Sequence, residues 1–449
     1  MSGQAVALLP DWIVPVHPRG EVLEHHALVM HGETISAVLP REKLAETFPE
    51  AERKPLPGRV LLPGLINAHA HSAMTLLRGL ADDLPLMRWL EDHIWPAEQA
   101  CVGPDYVRAG TELAIAEMLL GGTTCFNDNY FFPDVAAGTA IRAGMRAVVG
   151  LPIISMPTAW ATTEDEYFSR GLGVHQDLLA EPLVTTAFAP HAPYTVTDSA
   201  FSRIRELAEE LDIPVHLHLL ETAGEIDTSH QQHRCHPIDR LDRLDLFNDR
   251  LLAVHMTQLE ARDMDRAARA GIHVLHCPAS NLKLASGMCP VAALVERGVN
   301  VCIGTDGAAS NNTLDMFAEM RLAALLAKGL SGNPEAIPAE QALAMATLNA
   351  ARALGLEDQV GSLEAGKQAD VIAVELDRIE TLPVHHVISH LVYATGRHQV
   401  SDVWVAGRAL VSDGRLQSLD EKRIRADASA WQQRLATIDR QHANDGSAG

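Results

Sequence analysis

Apolar residues in this chain fall in short runs, and the spacing of those runs divides it into three parts. Near the start, Ala27-Leu28-Val29-Met30 and Thr34-Ile35-Ser36-Ala37-Val38 flank His31-Gly32-Glu33, the pattern of two strands joined by a glycine-containing turn. The same texture returns near the end. Residues 369–374 read as a strand, and 400–405 with Ala409-Leu410-Val411 read as a hairpin around Ala406-Gly407-Arg408. Two β-rich ends flanking a long middle predict one small composite β-sandwich domain from residues 1–58 and 361–415. Residues 418–441 carry many charges and predict a surface helix, within a C-terminal helix and tail spanning 416–449.

Between these ends, apolar runs alternate with helical periodicity. Eight runs read as strands: 60–62 with 65–69, 123–127, 145–149, 184–189, 214–219, 251–255, 273–276 and 299–304. Amphipathic stretches such as 201–211 and 259–270 separate most of them. Strand and helix alternating eight times predict an α/β fold, a TIM-like (β/α)8 barrel over residues 59–360. No fixed-period repeat or low-complexity segment interrupts it.

Composition narrows the function classes. The chain has 449 residues and is 47% hydrophobic, ordinary for an enzyme with a large core. Its net charge is −22, from 58 acids against 36 bases. That argues against nucleic acid or an anionic membrane as partner, since both reward clustered Lys and Arg. No run approaches the ~18 apolar residues of a membrane-spanning helix. The first residues lack the basic and apolar regions of a secretory signal. The six cysteines are dispersed with no C-x-x-C pair, so the expectation is a reduced, cytoplasmic protein.

The candidate chemistry sits at the ends of the predicted strands, where barrel enzymes place it. His69 and His71 are two apart on a strand, so both imidazoles share a face and can reach one ion. His216 and His218 form a second such pair. His218, nearer the strand's C-terminal end, is the candidate ligand, and His216 lies deeper as a hydrogen-bonded core histidine. Glu221 follows three residues later, where the chain turns over the barrel mouth and a carboxylate can shuttle protons. His255 ends an apolar run, and Asp306 follows the last strand. Three imidazoles and a carboxylate at one barrel mouth suggest a single divalent metal holding a reactive water. His191 ends another strand. Taken alone, Trp89 reads as a core aromatic, Glu98 as a solvated helix residue, and Asp128 and Asn281 as loop hydrogen-bonding groups.

Together these residues resemble the amidohydrolase superfamily, and within it the 5-methylthioadenosine/S-adenosylhomocysteine deaminases. The resemblance rests on Pro63-Gly64-Leu65-Ile66-Asn67-Ala68-His69-Ala70-His71, Leu77-Arg78-Gly79-Leu80, Trp89-Leu90 with Trp95-Pro96-Ala97-Glu98, Pro190-His191-Ala192-Pro193-Tyr194, His218-Leu219-Leu220-Glu221-Thr222, His276-Cys277-Pro278-Ala279-Ser280-Asn281 and Gly304-Thr305-Asp306-Gly307. It implies one metal ion per subunit on His69, His71, His218 and Asp306, usually zinc, sometimes iron or manganese. No lysine is placed to be a carboxylated bridge, which favours a mononuclear site. It further implies that Asp306 takes a proton from water, Glu221 protonates the ring nitrogen beside the attacked carbon, and His255 stabilises the tetrahedral adduct. Trp89, Glu98 and His191 would contact a purine nucleoside substrate, and the protein would be a dimer or tetramer. Guanine deaminases and triazine hydrolases share several of these pieces, so another aminoheterocycle deaminase or a triazine-type hydrolase is the alternative reading.

The chain departs from that family pattern in one place. Members that handle S-adenosylhomocysteine carry arginines after the third strand, suited to gripping its carboxylate. Between Gly150 and Glu166 this chain has none and offers Met156, Pro157 and Trp160 instead, with Arg170 the nearest cation. The expected substrate is therefore 5'-methylthioadenosine, with S-adenosylhomocysteine weaker.

Overall fold

A computed structural model describes residues 4–445. Eight parallel strands follow one another around a barrel: Leu65–Ala70, Thr123–Asp128, Arg146–Ile153, Val184–Pro190, Val215–Leu219, Leu251–His255, His273–His276 and Asn300–Ile303. Each pairs with the next in sequence order. Beyond the strand ends, the Asp306 N–H donates to the His69 carbonyl at 2.9 Å and joins the last strand to the first. Helices such as Pro104–Leu120, Asp198–Leu211 and Met316–Ser331 cover the outside. The Asp198–Leu211 helix shows the local logic. Thr197 caps its first turn by accepting from the Ala200 N–H, and Ala200, Phe201, Ile204 and Ala208 form the buried stripe.

Both ends of the chain build a second, nine-stranded sheet. Val6–Ile13 lies between His26–His31, antiparallel, and Glu52–Pro63, parallel. Val371–Glu375 then pairs with Glu52–Pro63, and Val400–Val405 pairs with Val371–Glu375. The composite terminal sheet was legible from the two β-rich ends, but residues 60–62 were misassigned. They do not enter the barrel; they lie in Glu52–Pro63 and pair with the terminal strand Val371–Glu375. The cause is burial on both faces. Leu61 packs into the terminal core with Leu8, Leu28 and Trp404, while Val60 and Leu62 pack into the core shared with the barrel. A strand covered on both faces is continuously apolar and reads like a barrel strand. The chain passes into the barrel at Gly64, where a Cβ would overlap the Thr124 side chain.

The expected surface helix near 418–441 forms as Glu421–Asp445, and its Trp431 meets Tyr106 edge to face at 5.3 Å. Residues 1–3 and 446–449, within the expected first domain and tail, lie outside the described residues. Among the described residues no helix is long and apolar enough to cross a membrane.

One ion pair ties barrel to terminal sheet. Arg146, at the start of the third barrel strand, grips Asp370 with Nε at 2.9 Å and Nη2 at 3.1 Å. The Ala406 N–H also donates to Asp370 at 2.8 Å. Both side chains are almost wholly buried. Removing the guanidinium would leave an uncompensated carboxylate between the two layers. Arg146→Ala is expected to lower unfolding free energy by about 3–5 kcal/mol, measured by urea denaturation; a change under about 1 kcal/mol, the size of an exposed pair, would overturn this reading.

Candidate active site

The strand ends bring four segments to one point. Asp306 Oδ1 lies 3.3 Å from His69 Nε2 and 3.3 Å from His71 Nε2. His218 Nε2 faces His71 Nε2 at 3.3 Å. His255 Nε2 lies 3.7 Å from Glu221 Oε2. The first, fifth, sixth and last strands therefore deliver His69 with His71, His218 with Glu221, His255, and Asp306 to one cluster. Two sets of ligand atoms, those of His69, His71 and Asp306 and those of His69, His218 and His255, each lie within 4.8 Å of one another.

The backbone is bent to achieve this. Leu220, His255, Met256 and Asp306 all have left-handed φ values, 53°, 73°, 48° and 62°. Such conformations cost roughly 1–2 kcal/mol for an L-residue and persist where surrounding contacts impose them. Here they turn side chains at strand ends across the barrel mouth.

A layer of hydrogen bonds fixes each group. His69 Nδ1 meets His216 Nε2 at 2.8 Å, so His216 is the deeper, supporting histidine. His71 Nδ1 donates to the Asn129 carbonyl and His218 Nδ1 to the His191 carbonyl, which turns both Nε2 atoms towards the cluster and leaves that of His218 as a lone-pair donor. Ser280 Oγ donates to Asp306 Oδ2 at 2.6 Å, and Asn281 Nδ2 donates to His255 Nδ1 at 3.0 Å. Asn281 is thus more than a loop residue. Asp128 supports the turn after His71, accepting from Ser72 N and Oγ. Ser286 donates to Glu221 Oε1 at 3.3 Å. The sequence held no signal for Ser286, whose segment is irregular, nor for the order in which Ser280 and Asn281 divide their work.

Burial sets the charges. It pulls His69 and His255 down to about 4 and holds His218 and His216 well below the usual imidazole range. These rings are neutral at pH 7. Burial also works against charge on His71 and Asp306, but contact with Asp306 lifts His71 to about 9, and contact with His69 and His71 holds Asp306 well below the usual carboxylate range. Glu221 goes the other way. Burial, reinforced by the nearby Asp306 charge, raises it to about 8 against a hydrogen bond from Ser286.

The cluster floors a cavity of about 560 Å³. Trp89, Glu98 and His191 all line it. Trp89 is buried with its Nε1–H on the Ala81 carbonyl, and Glu98 accepts from the Tyr130 hydroxyl at 2.6 Å. Burial raises the Glu98 carboxyl, so it is not the solvated helix residue its local sequence suggested. Tyr130, which had no sequence signal, reaches Glu98 from the end of the second strand. Met156 and Pro157 line the wall as expected, but Trp160 does not. It turns into the barrel wall against Tyr167, with ring centroids 5.8 Å apart. Arg170 is also outside the cavity, paired with Glu166 at 2.5 Å on the outer surface. No lining residue among those described is Lys or Arg.

A buried imidazole nitrogen without a partner costs on the order of 1–3 kcal/mol. His69 Nε2 is such an atom, and its neighbours are other lone-pair donors and a carboxylate. An N/O donor set of this kind fits a divalent transition metal.

Fold and site together define a barrel hydrolase of the metal-dependent type. Residues 60–410 match the amidohydrolase family, and the chain belongs to that family. It is 50% identical over 425 residues to the 5-methylthioadenosine/S-adenosylhomocysteine deaminase of Teredinibacter turnerae, covering 95% of this chain and 96% of that one. Among solved structures it is similar to a zinc-bound adenosine deaminase from Xanthomonas campestris, with 52% identity, a TM-score of 0.95, and 96% and 98% of the two chains covered. A triazine hydrolase variant follows at 25% identity and a TM-score of 0.88, with coverage of 96% and 99%.

The electrostatics of Glu221 are directly measurable. In metal-free protein, a carbon-13 NMR titration of its carboxyl should give a midpoint near 8, so that the group holds its proton through neutral pH. A midpoint at the ordinary carboxylate value, about 4.3, would overturn this picture of a dry, protonated acid.

Proposed function

We propose that this chain is a metal-dependent hydrolytic deaminase that converts 5'-methylthioadenosine to 5'-methylthioinosine and ammonia, with S-adenosylhomocysteine a weaker substrate. The observation that carries this reading is Glu221. It is a carboxyl group that burial raises to about 8, 3.7 Å from His255 and above the His/Asp cluster. Displacing an amino group from a purine needs a proton on the adjacent ring nitrogen, and such a carboxyl can donate it.

His69, His71, His218 and Asp306 would hold one divalent ion, and the zinc in the similar deaminase structure supports zinc as that ion. Bound there, the ion would supply the nucleophile by lowering the pKa of a ligated water towards ~7. Asp306, ionised, accepts the proton from the attacking water and returns it to the departing amine. Glu221 gives its proton to the ring nitrogen beside the attacked carbon and recovers one from the added hydroxyl as the carbonyl forms. Asn281 donates to His255 Nδ1, which leaves the Nε2 proton facing the cavity and ready to steady charge building on the incoming oxygen. Glu98 accepts from the ribose hydroxyls, Trp89 packs on the nucleoside, and His191 contacts it. The acidic surface and the relatives' names support a small-molecule purine nucleoside as the partner. A homo-oligomer of two or four subunits in the cytoplasm completes the proposed setting.

The wall formed by Ile154, Met156 and Pro157 is apolar, and no Lys or Arg among the described residues lines the cavity. A thiomethyl group suits such a wall. The homocysteine carboxylate would meet no Lys or Arg at that wall and would lose hydration without return. Ammonia release by zinc-loaded protein should therefore show the highest kcat/KM with 5'-methylthioadenosine when compared with S-adenosylhomocysteine, adenosine and guanine. Equal or better turnover of S-adenosylhomocysteine would refute the selectivity; silence on all four with metal bound would refute the deaminase. In the converse experiment, Met156→Arg should raise relative kcat/KM for S-adenosylhomocysteine on the order of tenfold, the effect of one charge-assisted hydrogen bond of ~1.5 kcal/mol. An unchanged ratio would show that the carboxylate lies elsewhere.

A further inference from the structure

We propose that Glu225, which does not line the cavity, is a positioning residue that fixes Glu221 for proton transfer; this rests on the reading of Glu221 as the acid. Glu225 is 5% exposed, and no ion pair to it is found among the described residues. Its two carboxylate oxygens are both engaged by the backbone that carries the acid. Oε1 accepts the Leu220 N–H at 2.9 Å, and Oε2 accepts the Glu221 N–H at 3.1 Å.

The same two residues are held from the other side. The Leu220 carbonyl accepts from the Thr257 N–H at 3.0 Å and the Gln258 N–H at 3.2 Å. The Glu221 carbonyl accepts from Thr257 Oγ1 at 2.7 Å. All four polar backbone atoms of 220 and 221 are therefore bonded, two to Glu225 and two to the 257–258 segment. This frame holds Leu220 at φ 53°, a conformation a leucine does not keep without constraint.

Helix capping alone does not account for the contact. Glu225 is in the first turn of the helix Ala223–His233. An acidic side chain at that position commonly reaches back to the N-H of the capping residue, here Thr222. Glu225 instead reaches one and two residues further, to the pair that turns the acid over the cavity. A carboxylate suits two N–H donors, whereas a glutamine would set its own NH2 against one of them.

The test compares zinc-loaded wild type, Glu225→Gln and Thr257→Val for kcat and KM on 5'-methylthioadenosine, zinc content, and hydrogen exchange of the 216–224 peptide. For Glu225→Gln we expect kcat to fall on the order of 100-fold, the effect of displacing a reacting group by about 1 Å. KM and zinc content should change little, and exchange protection at residues 220 and 221 should be lost. Wild-type kcat and protection in a variant that merely melts earlier would overturn the proposal, as would a kcat loss matched by zinc loss. If Glu225→Gln does not fold, Thr257→Val decides by the same readouts in the same direction. If wild type deaminates no nucleoside, the deaminase reading falls, and the exchange measurement alone supports or overturns the frame.

Discussion

A single main-chain hydrogen bond, from the Asp306 N–H to the His69 carbonyl, both closes the barrel and assembles the site. The two residues it joins also bring their side chains within 3.3 Å of each other. Closure demands close approach, and Gly304 permits it: a Cβ there would lie 2.6 Å from the His69 nitrogen. Asn67 reinforces the seam by accepting from the Thr305 N–H at 2.9 Å and donating to the Thr305 hydroxyl at 2.7 Å. Any change that loosens the contact between first and last strands therefore separates a histidine from the aspartate beside it. Folding and site formation are one event along this seam.

Around the seam, burial alone would silence every charge, because desolvation raises carboxyls and lowers imidazoles. The outcome differs from residue to residue according to what each touches. Asp306 is surrounded by imidazoles and stays ionised. No Lys or Arg among the described residues pairs with Glu221 or Glu319, and burial raises each to about 8. Two kinds of carboxyl thus coexist in one barrel mouth, one ready to accept a proton and one able to hold it. Glu319 plays its part at a distance: it accepts from the Ala279 N–H and from Asn311 Nδ2, anchoring the segment that presents Ser280 and Asn281 to the cluster.

What could be read from the sequence follows from these constraints. Strand-end histidines were legible because a strand's apolar run ends where the side chain meets the cavity, as at Leu251–His255. The deeper place of His216 followed from its two-residue offset from His218. Residues 60–62 were misread because a sheet sandwiched between two cores loses the alternation that marks a one-sided strand. Trp160 was misplaced because a loop has no periodicity to say which way its aromatic turns. Tyr130, Ser286 and Glu225 were invisible for a related reason: each contributes through a contact across irregular segments, and sequence spacing does not record such contacts.

The loop after the third strand is held separately from the cluster. Trp160 packs on Tyr167, and Thr158 Oγ1 meets the Tyr167 hydroxyl at 2.6 Å. Tyr167 belongs to the following helix, Glu164–Leu178, so the loop is pinned to the barrel wall rather than to the cluster. The Tyr167 hydroxyl also donates to the Met156 carbonyl at 3.2 Å, which fixes that backbone while leaving its side chain, 46% exposed, at the cavity mouth. None of the hydrogen bonds described above that orient His69, His71, His218, Glu221, His255 or Asp306 passes through this loop. The third-strand loop is therefore a part of the cavity wall that is anchored independently of the His/Asp cluster, as loops on a rigid barrel scaffold commonly are.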